Sequence, residues 1–243
     1  MFITKGDRQI WVDDVKFVHM LIKDFRLLSA ELDKYGMVAS LGGDGLLKYL
    51  NELEMPVKFA EIRANEVLER LPVEGPNMLK GAEIGVFVGD MSKYLLARPD
   101  ITLMMVDSWN SEHTEDYVKS GDFHSDLTQE EQDRYYEMAR NAVRFAGDRA
   151  ALVKSDSVNA AELVDDGSLD FVFIDADHSY EGCKKDLNAW FPKIKSGGLF
   201  SGHDYNNTEF PDFGVKQAVD EFVASKGLVL ALGDNFTWFV TLP

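Results

Sequence analysis

Cysteine is almost absent. Cys183 is alone among 243 residues, which excludes an internal disulfide and makes a reducing compartment, the cytoplasm, the expected setting. It falls in a helical stretch with nothing nearby to activate a thiol, so it reads as packing rather than as a nucleophile. Long apolar runs are missing too. No stretch approaches the roughly 20 residues that span a membrane, and the start, MFITKGDRQIWVDD, lacks the apolar core of a signal peptide. Positive charge is scarce: 25 Lys and Arg stand against 42 Asp and Glu, a net charge of −17. Such a field repels phosphate backbones and anionic lipid, so neither nucleic acid nor a membrane is the expected partner, and a small-molecule substrate is. Repeats and low-complexity tracts are lacking. With 45% hydrophobic and 28% charged residues, the chain is an ordinary globular one. Its length suits one α/β domain plus an additional segment.

Apolar residues at helical spacing fill the first part. Val12, Val15, Val18, Ile22, Phe25 and Leu28 predict an amphipathic helix over 11–35, a short helix is expected over 46–54, and Phe59, Ile62, Val67 and Leu68 predict another. Residues 1–78 therefore read as a helical segment, a cap or a dimerisation element. The first helix has enough apolar surface to join a second copy, which leaves a homo-oligomer open. From 79 to 243 the texture changes to short apolar runs alternating with helical patterns. Strands are expected from Gly81, over 101–106, 150–154, 171–174 and 199–201, and finally over 228–232 and 237–242. The last two are close enough for a hairpin, so one of them runs antiparallel. Thr128 and Glu131 have capping-box spacing and open a helix over 129–146. The fold class is α/β: a doubly wound, seven-stranded, mostly parallel sheet with a C-terminal antiparallel hairpin and an N-terminal helical segment. Between 108 and 127 lies a long polar connection, where His113, Asp116, His124 and Asp126 read as solvated residues.

Acids close the strands. Glu83 lies in the first, and Asp107, Asp156 and Asp175 follow the next three. The first turn runs Glu83-x-Gly85-x-x-x-Gly89-Asp90. Its glycines permit close approach to a nucleotide-like ligand, and Asp107 suits two ribose hydroxyls. This is not the GxGxxG spacing that cradles a pyrophosphate, and the additional acid favours a cationic amino-acid ligand. The fourth strand ends in Asp175, Asp177 and His178; the next, after Gly197-Gly198, ends in His203 and Asp204. Paired strands lie roughly 4.8 Å apart, so Asp175 and Asp204 are expected to face one ligand. Asp177 has a competing assignment on the amides of the next helix.

On these residues the sequence resembles class I S-adenosylmethionine-dependent methyltransferases. AEIGVFVGDMS is similar to their first motif, and Asp107 to their ribose-binding acid. Ser155-Asp156-Ser157 matches the segment beside adenine. FIDADHSYEG with GGLFSGHDY further resembles relatives of macrocin-type and caffeoyl-CoA-type O-methyltransferases. The resemblance implies methyl transfer from S-adenosylmethionine to a small-molecule hydroxyl. It implies cofactor contacts at Glu83, Gly85, Gly89, Ser92, Asp107, Ser108, Asp156, Ser157 and Asp175, and a catalytic group among Asp175, His178 and His203. In metal-dependent relatives, positions matching Asp175, His203 and Asp204 hold a divalent ion. His203 departs from the usual carboxylate there, which leaves open magnesium, manganese, iron or zinc, or a metal-free site with His203 or His178 as base. A hydroxylase-like enzyme on the same fold and a non-catalytic cofactor-binding protein stay open as alternatives. A nicotinamide-dependent oxidoreductase is disfavoured by the glycine spacing.

Overall fold

Seven strands in the order β5-β4-β3-β6-β7-β9-β8 build one twisted sheet in the computed structural model of the chain. The structure describes residues 2–5, 8–11, 55–207, 210 and 212–243. In sequence the strands are β3 (Leu79–Ile84), β4 (Ile101–Asp107), β5 (Ala150–Lys154), β6 (Leu169–Ile174), β7 (Ile194–Gly202), β8 (Ala231–Leu232) and β9 (Trp238–Thr241). Only β9 runs against its neighbours, pairing antiparallel with β7 and β8. The expected seven-stranded sheet and closing hairpin are both present. β7 is longer than expected because Ile194 pairs with Leu169 ahead of an irregularity, and Gly198 has no room for a side chain against Ile194 and the Asp170 carbonyl.

The central strands are apolar on both faces, as parallel strands covered by helices must be. Alternate residues serve two cores. Leu103, Met105, Phe171, Phe173 and Phe239 pack with α1 (Met55–Leu68), α2 (Asp90–Ala97) and α4 (Gln129–Ala142). Ala82, Ile84, Val172, Ile174, Phe200 and Trp238 pack with α5 (Ser157–Ala161), α6 (Tyr180–Trp190) and α7 (Val215–Lys226). The result is the doubly wound arrangement. Thr128 caps α4 as its spacing predicts: its hydroxyl accepts from Glu131 N at 3.3 Å, and Glu131 returns a carboxylate to Thr128 N at 2.7 Å. That helix stops at Ala142, four residues short of the expected end, and a 3₁₀ turn over Arg144–Arg149 takes its place.

The chain divides into two compact units, 1–56 and 57–243. In the first, β1 (Phe2–Lys5) pairs antiparallel with β2 (Arg8–Trp11), a hairpin that the helical periodicity beginning near Trp11 does not reveal. The helices expected over 12–35 and 46–54 lie outside the described residues. Helix α1 belongs with the sheet, since Ala60, Ala64 and Val67 are buried in its core; the division at 56 therefore precedes the expected boundary at 78. The polar connection 108–127 contains α3 (Glu115–Lys119) and a 3₁₀ turn, Phe123–Asp126.

Candidate functional site

Every parallel strand delivers its polar residues to one edge of the sheet. Register sets Ile84 beside Ile174, and Ile174 beside Gly202, so the residues that follow them, Gly85, Asp175 and His203, stand at one level. The backbone stitches these ends together: Asp175 N donates to Ile84 O at 2.7 Å and His203 N to Ile174 O at 3.0 Å. Gly85 has φ +87°, and a Cβ there would stand 1.8 Å from the Asp175 carbonyl oxygen. Only glycine fits. Six non-glycine residues among those described also take positive φ, among them Phe87 at 54°, Trp109 at 39° and Asp204 at 59° at the ends of β3, β4 and β7. Backbone held in this region costs of order 1–3 kcal/mol per residue and gathers at functional sites.

The Asp107 carboxylate organises the first turn. Its Oδ2 accepts from Val86 N and Phe87 N, each at 2.9 Å, and its Oδ1 from Trp109 N at 2.9 Å. A carboxylate offers about four acceptor positions, so one is left for a ligand hydroxyl. Asp107 thus holds the turn as well as standing at its expected place. Glu83 is buried, and its Oε2 accepts from Ser92 Oγ at 2.6 Å. Burial pushes the Glu83 pKa up to about 8, against the Ser92 hydrogen bond. Gly89, at φ +78°, starts α2, and a Cβ there would stand 3.0 Å from Ala139 Cα.

A dense acid and imidazole cluster sits at the ends of β6 and β7. His178 Nε2 lies 2.9 Å from Asp204 Oδ2 and 3.3 Å from Asp175 Oδ1. His203 Nδ1 lies 2.9 Å from Asp204 Oδ2 and 3.4 Å from Asp175 Oδ1. Arg63 of α1 reaches within 3.9 Å of the other Asp175 oxygen, and Asn207 donates to Asp204 Oδ1 at 2.6 Å. Burial would discharge these groups. Their mutual pairing outweighs it. Asp204 and then Asp122 raise the His178 pKa well above the imidazole range, and Asp204 and Asp175 bring His203 up to about 9. The same contacts hold Asp175 and Asp204 below the usual carboxylate range, His203 contributing most to each. Adjacent donors around a divalent ion with bonds of about 2.1 Å in octahedral geometry stand about 3.0 Å apart. The spacing that lets His178 donate to two carboxylates therefore also suits a shared cation. Asp175, His178 and Asp204 present one ligand atom each within 4.8 Å of one another, and they form the metal-competent group found among the described residues. His178, from the loop after β6, joins His203 at the acids, its Nε2 at nearly the distances of His203 Nδ1. His203 turns Nδ1 to them and leaves Nε2 buried without a hydrogen bond.

The remaining expected residues scatter. Ser108 is exposed at the β4 end. Asp156 caps α5, accepting from Val158 N at 3.0 Å and Asn159 N at 3.3 Å, while Ser157 Oγ accepts from Trp190 Nε1 at 2.9 Å. Asp177 binds Ser179 N at 2.8 Å, its alternative assignment. Trp109, adjacent to Asp107, is fully buried with Nε1 donating to Phe87 O, and so is core rather than a lid on a ligand. Sequence reasoning missed Asp122. Its carboxylate stands 2.5 Å from His178 Nδ1 and 2.9 Å from His124 Nδ1, so His124 is no solvated loop residue either. The signal lay in Asp122 and His124 standing two apart beside aromatic residues, within a segment too polar to show periodicity.

Comparison with known proteins agrees with this geometry. The methyltransferase-domain family profile matches residues 82–205, from the first strand to the residue after Asp204. Among solved structures, the O-methyltransferase NovP superposes with a TM-score of 0.54 at 18% identity, over 77% of this chain and 79% of NovP. The calicheamicin methyltransferase CalS11 superposes at 0.57 and 14% identity, over 98% and 99%. At such identities the likeness is one of fold. No curated protein sequence matches. No helix among the described residues is long and apolar enough to cross a membrane.

Proposed function

The chain belongs to the methyltransferase-domain family, and from that premise we propose that it transfers a methyl group from S-adenosylmethionine to a hydroxyl oxygen of a small molecule. One observation carries the reading: the glycine turn after β3 abuts the acid and imidazole cluster after β6, with Gly85 packed directly on the Asp175 backbone. A cofactor seated on that turn and an acceptor seated on that cluster would be neighbours, and methyl transfer depends mainly on such proximity and alignment.

The residues fit the cofactor. Glu83 is a buried carboxyl with no ion pair among the described residues, suited to a cationic amino-acid group. Asp107 keeps an acceptor for a ribose hydroxyl. Bound there, S-adenosylmethionine supplies the electrophilic methyl group. Asp175, His178 and Asp204 would hold a divalent ion, whose positive charge would lower the pKa of an acceptor hydroxyl. His203, with Nδ1 beside both acids, would take or return that proton. Oxygen as the receiving atom draws support from NovP, itself described as an O-methyltransferase, and from CalS11, described as a TDP-rhamnose 3'-O-methyltransferase.

The test is incubation with methyl-deuterated S-adenosylmethionine and a panel of catechols and sugars, with and without magnesium or manganese, read by mass spectrometry. A deuteromethyl ether that disappears in Asp175→Asn supports the reading. Cofactor binding without any product, unchanged by that substitution, points to a non-catalytic binding protein.

A further inference from the structure

Asp122 stands in the connection 108–127 with its side chain only 2% exposed, and the proposed reaction gives it no role. Its two oxygens gather donors from three residues. Oδ2 faces His178 Nδ1 at 2.5 Å, and Oδ1 accepts from both His124 N and His124 Nδ1 at 2.9 Å. The Tyr117 hydroxyl is hydrogen-bonded to the same carboxylate.

Two contacts of His178 hold the ring without telling its nitrogens apart. Phe213 stacks on it, centroids 4.4 Å apart at 15°, and Gly214 N donates to the His178 carbonyl at 2.8 Å. The acids distinguish them: Asp122 faces Nδ1, and Asp175 and Asp204 face Nε2. A flip of the imidazole about Cβ–Cγ would take Nδ1 from Asp122 and Nε2 from the other two acids.

We propose that Asp122 is the positioning residue of the cluster: it accepts the Nδ1 proton of His178, presents Nε2 to Asp175 and Asp204, and attaches the 108–127 connection to the end of β6. A histidine that serves a metal or a proton transfer is commonly oriented through its second nitrogen in this way. The functional meaning rests on reading the cluster as the site of methyl transfer; the orientation of the ring does not.

The experiment is low-field proton NMR of the full chain, with nitrogen-15 histidine labelling. It is run on the unmodified protein and on Asp122→Asn, His178→Gln and His124→Gln, with S-adenosylhomocysteine affinity measured calorimetrically on each. A short imidazole-to-carboxylate contact gives a strongly deshielded ring N–H. The expected result is one such signal lost in Asp122→Asn and in His178→Gln but kept in His124→Gln, with S-adenosylhomocysteine affinity within twofold throughout. A signal absent from the unmodified protein, or one that persists in Asp122→Asn, overturns the proposal. Should Asp122→Asn not fold, the two histidine variants decide: loss in His178→Gln alone is expected, and loss in His124→Gln alone contradicts it. If the signals behave as expected while S-adenosylhomocysteine binds to none of the proteins, the transferase reading fails and the positioning role stands.

Discussion

His178 Nδ1 lies 2.5 Å from the Oδ2 of Asp122, a residue 56 positions earlier in the chain. The contact joins the loop after β6 to the connection after β4, and both partners are buried. Removing either takes one charged partner from the other, while His124 stays beside Asp122 and Asp175 and Asp204 stay beside His178. Urea unfolding of Asp122→Asn, His178→Gln and the double variant is expected to give a coupling energy of about 1–3 kcal/mol, since contacting charged residues are strongly non-additive. Additive effects would mean that the two side chains do not share one interaction.

Gly85 is expected to tolerate no side chain. The Cβ of alanine would collide with the Asp175 carbonyl at 1.8 Å, in a backbone conformation that L-residues avoid. Backbone rather than a flexible side chain is in the way, so Gly85→Ala is expected to cost about 3 kcal/mol or more. Thermal unfolding checks this. A variant as stable as the parent would show that the β3 and β6 ends are not in contact.

Asp186 predicts a pH dependence. It is buried on α6 with Oδ2 lacking a hydrogen bond, and burial pushes its pKa up to about 7, against a hydrogen bond from Ser157. A carboxyl whose folded pKa exceeds its unfolded value makes the folded state bind more protons, so stability falls as pH rises between the two values. The window runs from the ordinary aspartate value of 3.8 to about 7. At 1.36 kcal/mol per unit, the advantage of Asp186→Asn over the parent is expected to grow by about 3 kcal/mol between pH 5 and pH 8. Chemical denaturation at the two pH values measures it; a constant difference would contradict the burial of an unpaired carboxyl.

Arg149 closes the end of α2. Its Nη1 donates to the carbonyls of Leu96, Arg98 and Ile101 at 3.0–3.1 Å. The Leu96 and Arg98 oxygens lie at the end of α2 and the Ile101 oxygen at the start of β4, and hydrogen bonds from a charged donor contribute about 1.5–3 kcal/mol. Arg149→Ala is expected to lower stability by about that much and to leave S-adenosylhomocysteine affinity unchanged, since the contact lies at the opposite end of β4 from Asp107.

Much of this was readable because it rests on local patterns. β5 matches its expected span, Ala150–Lys154, because a short apolar run ends at a polar pair. The meeting of Asp175 with His203 and Asp204 followed from two successive strands ending on polar residues, which parallel pairing brings level. What escaped was long-range or conformational. Asp122 is defined by a partner 56 residues away. That both His178 and His203 turn a nitrogen toward the same two acids depends on loop geometry after the strands. Asp107 was read as a ligand for ribose, and its three amide hydrogen bonds are invisible to residue type alone.

S-adenosylhomocysteine titration calorimetry on the unmodified protein and on Asp107→Ala, repeated with NAD, tests the central claim most directly. Loss of Asp107 frees the amides of Val86, Phe87 and Trp109 that shape the turn and would remove the proposed ribose acceptor. The predicted result is micromolar binding of S-adenosylhomocysteine by the parent, at least tenfold weaker in the variant, a change of about 1.4 kcal/mol, and no binding of NAD. Binding of NAD with none of S-adenosylhomocysteine would contradict the methyltransferase account.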